Sequence, residues 1–188
     1  ANRGERRVTI VDKSGNDIRD IGPSGPYATA RFSPNGLRAV VSEEDFTTSI
    51  ISLHLLEFER SFFSRFTAGP DDERSAIWTV DGAGIVFHSN RPNAAGIYRR
   101  GAGGRSTDDE LLLADTVALA PTGFSSDGKR LLFTKGSGPD QRIWILPIDE
   151  PPQTRKPVQA FPGVSVAQLQ ARFSPDDKWI VYAEGSIP

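Results

Sequence analysis

Two histidines, His54 and His88, are the only imidazoles in 188 residues, and there is no cysteine. The missing thiols exclude disulfides, zinc-thiolate sites and cysteine nucleophiles, and two imidazoles are too few for a multi-histidine metal centre. Hydrolase chemistry needs a nucleophile, a base and a group that orients the base. No Gly-x-Ser-x-Gly elbow is present, and Gly22-Pro23-Ser24-Gly25-Pro26 has the wrong spacing for one. Each histidine reads as a sheet residue satisfied by a neighbour. The stretch Gly101-Ala102-Gly103-Gly104-Arg105 is Gly-rich and basic. A phosphate loop would have to open a helix and carry a following Lys-Ser/Thr pair, so this stretch reads as a loop between strands. Asp71-Asp72-Glu73 and Asp108-Asp109-Glu110 have the oxygen chemistry of Ca²⁺ ligands, but no Asp-x-Asp-x-Asp-Gly spacing accompanies them. Both read as solvated loop charge. No carboxylate pair stands out for glycosidic chemistry. The residues therefore predict no enzyme, no cofactor and no metal.

Cations are unusual in kind, with 17 Arg against 5 Lys. Arginine suits bidentate recognition and stacking on aromatics, although gene base composition produces the same bias. The overall charge is only −2, from 22 basic and 24 acidic residues, which argues against a general nucleic-acid binder. The longest apolar stretch, Ile50 to Leu56, is broken by Ser52 and His54. It falls well short of the roughly 18 residues of a membrane-spanning helix. There is no Met, and the chain starts at Ala1 without a signal-peptide pattern, as expected for a mature product or an excised piece.

The positioning elements are legible as a repeat, and repeats take precedence over other readings. Phe32-Ser33-Pro34-Asn35-Gly36 recurs as Trp78-Thr79-Val80-Asp81-Gly82, as Phe124-Ser125-Ser126-Asp127-Gly128 and as Phe173-Ser174-Pro175-Asp176-Asp177, at spacings of 46, 46 and 49 residues. At one fixed offset after these follow Ala39-Val40-Val41, Ile85-Val86-Phe87, Leu131-Leu132-Phe133 and Ile180-Val181-Tyr182. Asn-Gly or Asp-Gly between apolar runs signals a tight hairpin, because the turn needs a positive φ. Asp177 in place of Gly predicts a strained or altered turn in the last copy. Third strands are expected at Ile50–Leu53, Ile97–Tyr98 and Ile143–Leu146. Fourth strands are expected at Phe62–Thr67, Leu111–Ala114 and Val158–Phe161. Helical spacing of Leu53, Leu56, Phe62, Phe63 and Phe66 leaves a short helix as the alternative there, but the repeat favours two strands with a turn near Glu57-Phe58-Glu59. Four strands per 40–50 residues is the pattern of a propeller blade.

The aromatic-Ser-Pro-Asp-Gly-Lys hairpin with its apolar strand resembles the TolB-like, or WD-like, β-propeller repeat. The likeness is best at Phe173-Ser174-Pro175-Asp176 with Lys178-Trp179 and at Phe124 through Phe133. Ser89-Asn90-Arg91 and Arg65-Phe66-Thr67 are also similar to that family. The expected fold is all-β: a propeller of four-stranded antiparallel blades with about four blades present. Its blade parts are expected at 8–21, 27–67, 74–114, 119–161 and 168–184 of a single domain or fragment. Val8–Asp12 and Asp17–Ile21 read as the last two strands of a blade, and the chain ends after the first two strands of another. The family commonly has about six blades or more. An incomplete propeller is therefore the favoured reading, and a small ring closed by the N-terminal strands is the other.

By resemblance, the expected role is that of a non-enzymatic interaction or sensory scaffold. It would present loops and a channel mouth to a protein or peptide, on the bacterial periplasmic or extracytoplasmic side. An accessory propeller of a larger serine/threonine kinase or prolyl-oligopeptidase-like peptidase is the alternative. Arg31 and Arg172 directly precede the motif aromatic, where Ile77 and Gly123 stand in the other copies. These inner-strand positions approach the propeller axis, which makes both arginines candidate partner contacts. The motif aromatics Phe32, Trp78, Phe124 and Phe173 are expected in the blade-packing core. Open blade faces would favour self-association.

Overall fold

A computed structural model describes residues 5–67, 69–103 and 109–185. A two-stranded unit, β1 (Arg6–Val11) and β2 (Asp17–Gly25), comes first. Three four-stranded antiparallel meanders follow. The first holds β3 (Tyr27–Phe32), β4 (Arg38–Asp45), β5 (Ile50–Glu57) and β6 (Phe62–Arg65). The second holds β7 (Glu73–Trp78), β8 (Gly84–Ser89), β9 (Gly96–Gly101) and β10 (Glu110–Ala114). The third holds β11 (Leu119–Phe124), β12 (Arg130–Lys135), β13 (Arg142–Pro147) and β14 (Val158–Gln159). The pair β15 (Ala167–Phe173) and β16 (Ile180–Gly185) comes last. This is a partial β-propeller, as the repeat predicts, with strands rather than a helix between Leu53 and Phe66. Among the described residues β1–β2 and β15–β16 form separate sheets, so no shared sheet closes the arc into a ring.

The motif builds the first turn of every blade in the same way. Ser33, Thr79, Ser125 and Ser174 accept a backbone hydrogen bond from Gly36, Gly82, Gly128 and Asp177 respectively, each 2.9 Å long. Those four residues have φ of 71°, 66°, 71° and 57°. Glycine adopts this region without a Cβ penalty, whereas aspartate meets one. The last turn is thus strained but not altered. Its compensation is visible: both Asp177 carboxylate oxygens accept from the Ser126 backbone N–H, at 2.9 and 3.0 Å, and Ser126 Oγ donates at 2.8 Å. Asp177 ties its turn to the turn of the blade before it, which glycine could not do.

Strand alternation decides which blade each side chain faces. In β4, Val40 faces forward into a core with Trp78, Ile85 and Phe87. Its neighbours Ala39 and Val41 face back into a core with Ile21, Val8 and Ile10. Val86 in β8 and Leu132 in β12 repeat the forward orientation toward Leu131 and Phe133, and toward Ile180 and Tyr182. The core is therefore a series of seams between units, as expected when a lone sheet cannot cover both of its faces.

The motif aromatics follow the same logic, with one correction. Trp78, Phe124 and Phe173 each pack back against the preceding blade. Phe32 does not belong to the core: it is 67% exposed and touches Phe58 at a ring distance of 5.4 Å. The unit before it consists only of β1 and β2 and offers no complete sheet to cover the ring. At the far end Val181, the forward-facing equivalent of Val40, is 69% exposed, and no described unit stands against it.

Candidate functional site

The first strands β3, β7, β11 and β15 line the concave side of the arc. Each carries a register irregularity against its partner strand, between Tyr27 and Thr29, Arg74 and Ile77, Pro121 and Gly123, and Leu169 and Arg172. A bulge bends a strand and re-aims its side chains. In two of the four bulges a non-glycine residue takes a left-handed conformation, Ser75 at φ 56° and Gln170 at φ 54°. Such strain persists only where the surroundings impose it, and it clusters at functional surfaces. Both residues line one cavity of about 680 Å³ to which all four first strands contribute.

Arg31, Arg74 and Arg172 reach this cavity, and no Asp or Glu among the described residues lines it. Arg74 is satisfied by Asp72. Among the described residues Arg31 and Arg172 have no carboxylate partner: Arg31 donates to the Ala30 carbonyl at 3.3 Å and Arg172 to the Ala171 carbonyl at 2.9 Å. The two come from opposite ends of the arc, yet their charges interact. Desolvation first, and the Arg31 charge second, push the Arg172 guanidinium below its ordinary value. Gly123 provides part of the geometry: a Cβ there would lie 3.2 Å from Arg172 Cδ, so its absence admits the arginine stem. Two like charges held together without a counter-charge favour binding of an anionic group, which relieves the repulsion. Arg31 and Arg172 were legible in the sequence as axis-facing candidates. Arg74, Ser75 and Gln170 were not, because a bulge changes which residues of a strand point inward.

The remaining sequence candidates have structural places. His88 pairs across the sheet with Arg74, and His54 stacks on Phe63 with ring centroids 4.8 Å apart and its Nε2 3.2 Å from a Glu43 oxygen. Burial lowers both imidazole pKa values below the usual 6.5. The unfolded chain then binds more protons than the folded one below about pH 6.5, so stability is full above that pH and falls as the solution is acidified. Urea midpoints should drop between pH 7.5 and pH 5, and the double variant His54→Gln/His88→Gln should flatten part of that slope. An unchanged slope would show that the histidines do not cause it.

Glu73 and Asp109 lie in an ion network with Arg91 and Arg100, all within the second blade. Glu110 pairs with Arg99. Asp108, Gly104 and Arg105 lie outside the described residues. Among the described residues no group of three His, Asp or Glu side chains is placed to hold a metal, and no helix is long and apolar enough to cross a membrane.

No family model and no curated protein matches the chain. Solved structures do. TolB from Acinetobacter baumannii matches with a TM-score of 0.65 and 21% identity over 89% of this chain, and 40% of that chain is covered. A putative TolB from Agrobacterium tumefaciens matches with a TM-score of 0.74 and 15% identity over 99% of this chain, covering 68% of that one. A prolyl endopeptidase matches with a TM-score of 0.61 and 16% identity over 83% of this chain and 26% of that one. At these identities the likeness is one of fold: the chain has the β-propeller fold of the TolB structures and spans less than half of the Acinetobacter protein.

Proposed function

We propose that this propeller is a non-enzymatic interaction module, a single domain or fragment over residues 1–188. Its concave mouth would receive an acidic segment of a protein or peptide. The observation that carries this reading is the pair Arg31 and Arg172, which line one cavity and, among the described residues, have no carboxylate partner. An inserted Asp or Glu would supply the missing counter-charge and accept bidentate hydrogen bonds. The strands β3 and β15 fix the backbone from which both arginines extend. We place the module on the periplasmic or extracytoplasmic side by its likeness to TolB. Self-association through the exposed faces at Phe32 and Val181 belongs to the same proposal.

The test uses a short acetylated Asp/Gly peptide as the probe, followed by calorimetry or fluorescence. Binding should weaken at least tenfold in Arg31→Glu/Arg172→Glu and should fall with added salt. Equal affinity in the charge-reversed variant would refute the assignment. An accessory propeller of a larger peptidase is the second reading, favoured by the prolyl endopeptidase match. A hydrolase segment encoded beside this one would support it.

A further inference from the structure

In two of the four repeat copies an arginine stands six residues after the motif aromatic and spans a seam between blades; Gly84 and Trp179 take that position in the other two. After Phe32 this residue is Arg38. Its guanidinium lies 5.0 Å from the Trp78 ring centroid and donates to the carbonyls of Ala102, at 2.7 Å, and Gly82, at 2.9 Å. After Phe124 it is Arg130, 5.0 Å from the Phe173 ring centroid and 3.5 Å from an Asp177 oxygen. Each arginine thus crosses into the following blade and covers that blade's motif aromatic.

After Trp78 the position is Gly84. The seam between the second and third blades therefore lacks its arginine, and a cavity of about 610 Å³ lies there, lined by Gly84, Phe124, Gly128 and Ile148. The last three are the repeat equivalents of Trp78, Gly82 and Ala102, the ring and the two carbonyls that hold Arg38 in the sister seam. Among the described residues no cation stands over the Phe124 ring. Arg155 donates to the Ile148 carbonyl at 3.1 Å, which leaves that oxygen a second lone pair. The charged lining is Asp81, Asp127, Glu110 and Arg99; Glu110 is paired with Arg99 and lies 3.9 Å from Arg155, which leaves Asp81 and Asp127, among the described residues, as the carboxylates without a paired cation.

We propose that this cleft is a receptor for an arginine side chain supplied by a partner protein. The slot has an aromatic floor for stacking, backbone carbonyls for the fork of N–H donors, and an acidic rim. An arginine over the motif aromatic occurs twice within the same chain in cis, held by two carbonyls at Arg38 and facing a carboxylate at Arg130. The assignment does not rest on the acidic-segment reading of the concave mouth, because it uses different residues and the opposite charge.

The test is a titration of ¹⁵N-labelled protein with Nα-acetyl-arginine amide, with the citrulline and lysine analogues as controls. The arginine probe should shift the amides of Gly84, Phe124 and Gly128 saturably. Citrulline, isosteric but uncharged, should bind at least tenfold more weakly, and lysine should bind more weakly than arginine. Gly84→Arg should fill the slot in cis and abolish the shifts. A Cβ at Gly84 would sit 3.2 Å from the Arg100 carbonyl, so that variant needs a small local adjustment. If it does not fold, Arg38→Ala provides the second variant: it should open the sister slot and create new arginine-dependent shifts at Trp78, Gly82 and Ala102. Absence of saturable shifts at Gly84, Phe124 and Gly128, or equal binding of arginine and citrulline, would overturn the proposal.

Discussion

Replacing Trp78 with alanine should lower the unfolding free energy by about 3–5 kcal/mol, the range for truncating a buried large aromatic. The indole is 7% exposed and sits in the seam between the first and second blades with Val40, Leu53, Leu55, Ile85 and Phe87. Its Nε1 donates to the Arg31 carbonyl at 3.0 Å, and Arg38 covers its face. Truncation would leave a cavity, a carbonyl beside the candidate site that has lost one of its donors and an arginine without its platform. The matched control is Phe32→Ala. It removes an aromatic from the same repeat position, but one that is 67% exposed, and should cost less than about 1 kcal/mol. Denaturant unfolding of the two variants checks the pair. Similar losses would contradict the description of the seams.

The second large effect is expected at Arg91. Its guanidinium bridges Glu73, at 3.2 Å, and Asp109, and lies 4.0 Å from the Tyr98 ring centroid. Both carboxylate side chains are only 6% exposed. Arg91→Ala strands Glu73, whereas Asp109 keeps its two hydrogen bonds from Arg100; removal of one partner from a buried pair costs about 3 kcal/mol, the low end of the usual range because Arg91 itself keeps some contact with water. The loss should depend on pH. Burial raises the Glu73 pKa against the opposing hydrogen bond from Thr67 and the charges of Arg91 and Arg100. Burial also acts to raise that of Asp109, but hydrogen bonds from Arg100 and Arg91 overcome it and hold the carboxyl below its ordinary value. Without Arg91 both groups charge less readily in the folded state. The destabilisation should therefore be largest at neutral pH and shrink on acidification, as the carboxylates become protonated. A loss that is flat between pH 8 and pH 5, measured by urea unfolding, would mean that lost packing and not stranded charge causes it.

Much of the architecture was legible because hairpins are local. An Asn-Gly or Asp-Gly turn and the apolar run after it are set by neighbours in sequence, and four copies in register leave little freedom in the strand order. The expected fourth strand at Val158–Phe161 is shorter in the structure, ending at Gln159. Phe32 was misplaced for a different reason. Its burial depends on whether a full blade stands before it, which the residue's own neighbourhood does not specify. The candidate site was half legible. The positions of Arg31 and Arg172 before the motif aromatic pointed to the axis. Their convergence across the arc, the room left by Gly123, and the inward turn of Ser75 and Gln170 arise from packing between blades. The cleft at Gly84 had a sequence signal, a missing arginine at a repeat position. It acquires meaning only once Arg38 and Arg130 are seen to cross their seams.

The central claim is that Arg31 and Arg172 act together as an anion-binding pair. The most direct measurement is the arginine Nε–Hε resonances of the labelled protein during titration with the acetylated Asp/Gly peptide. The account predicts that the Arg31 and Arg172 signals shift along one common isotherm, while those of Arg91 and Arg100, locked in their ion network, stay in place. Shifts confined to other arginines, or separate isotherms for Arg31 and Arg172, would contradict it.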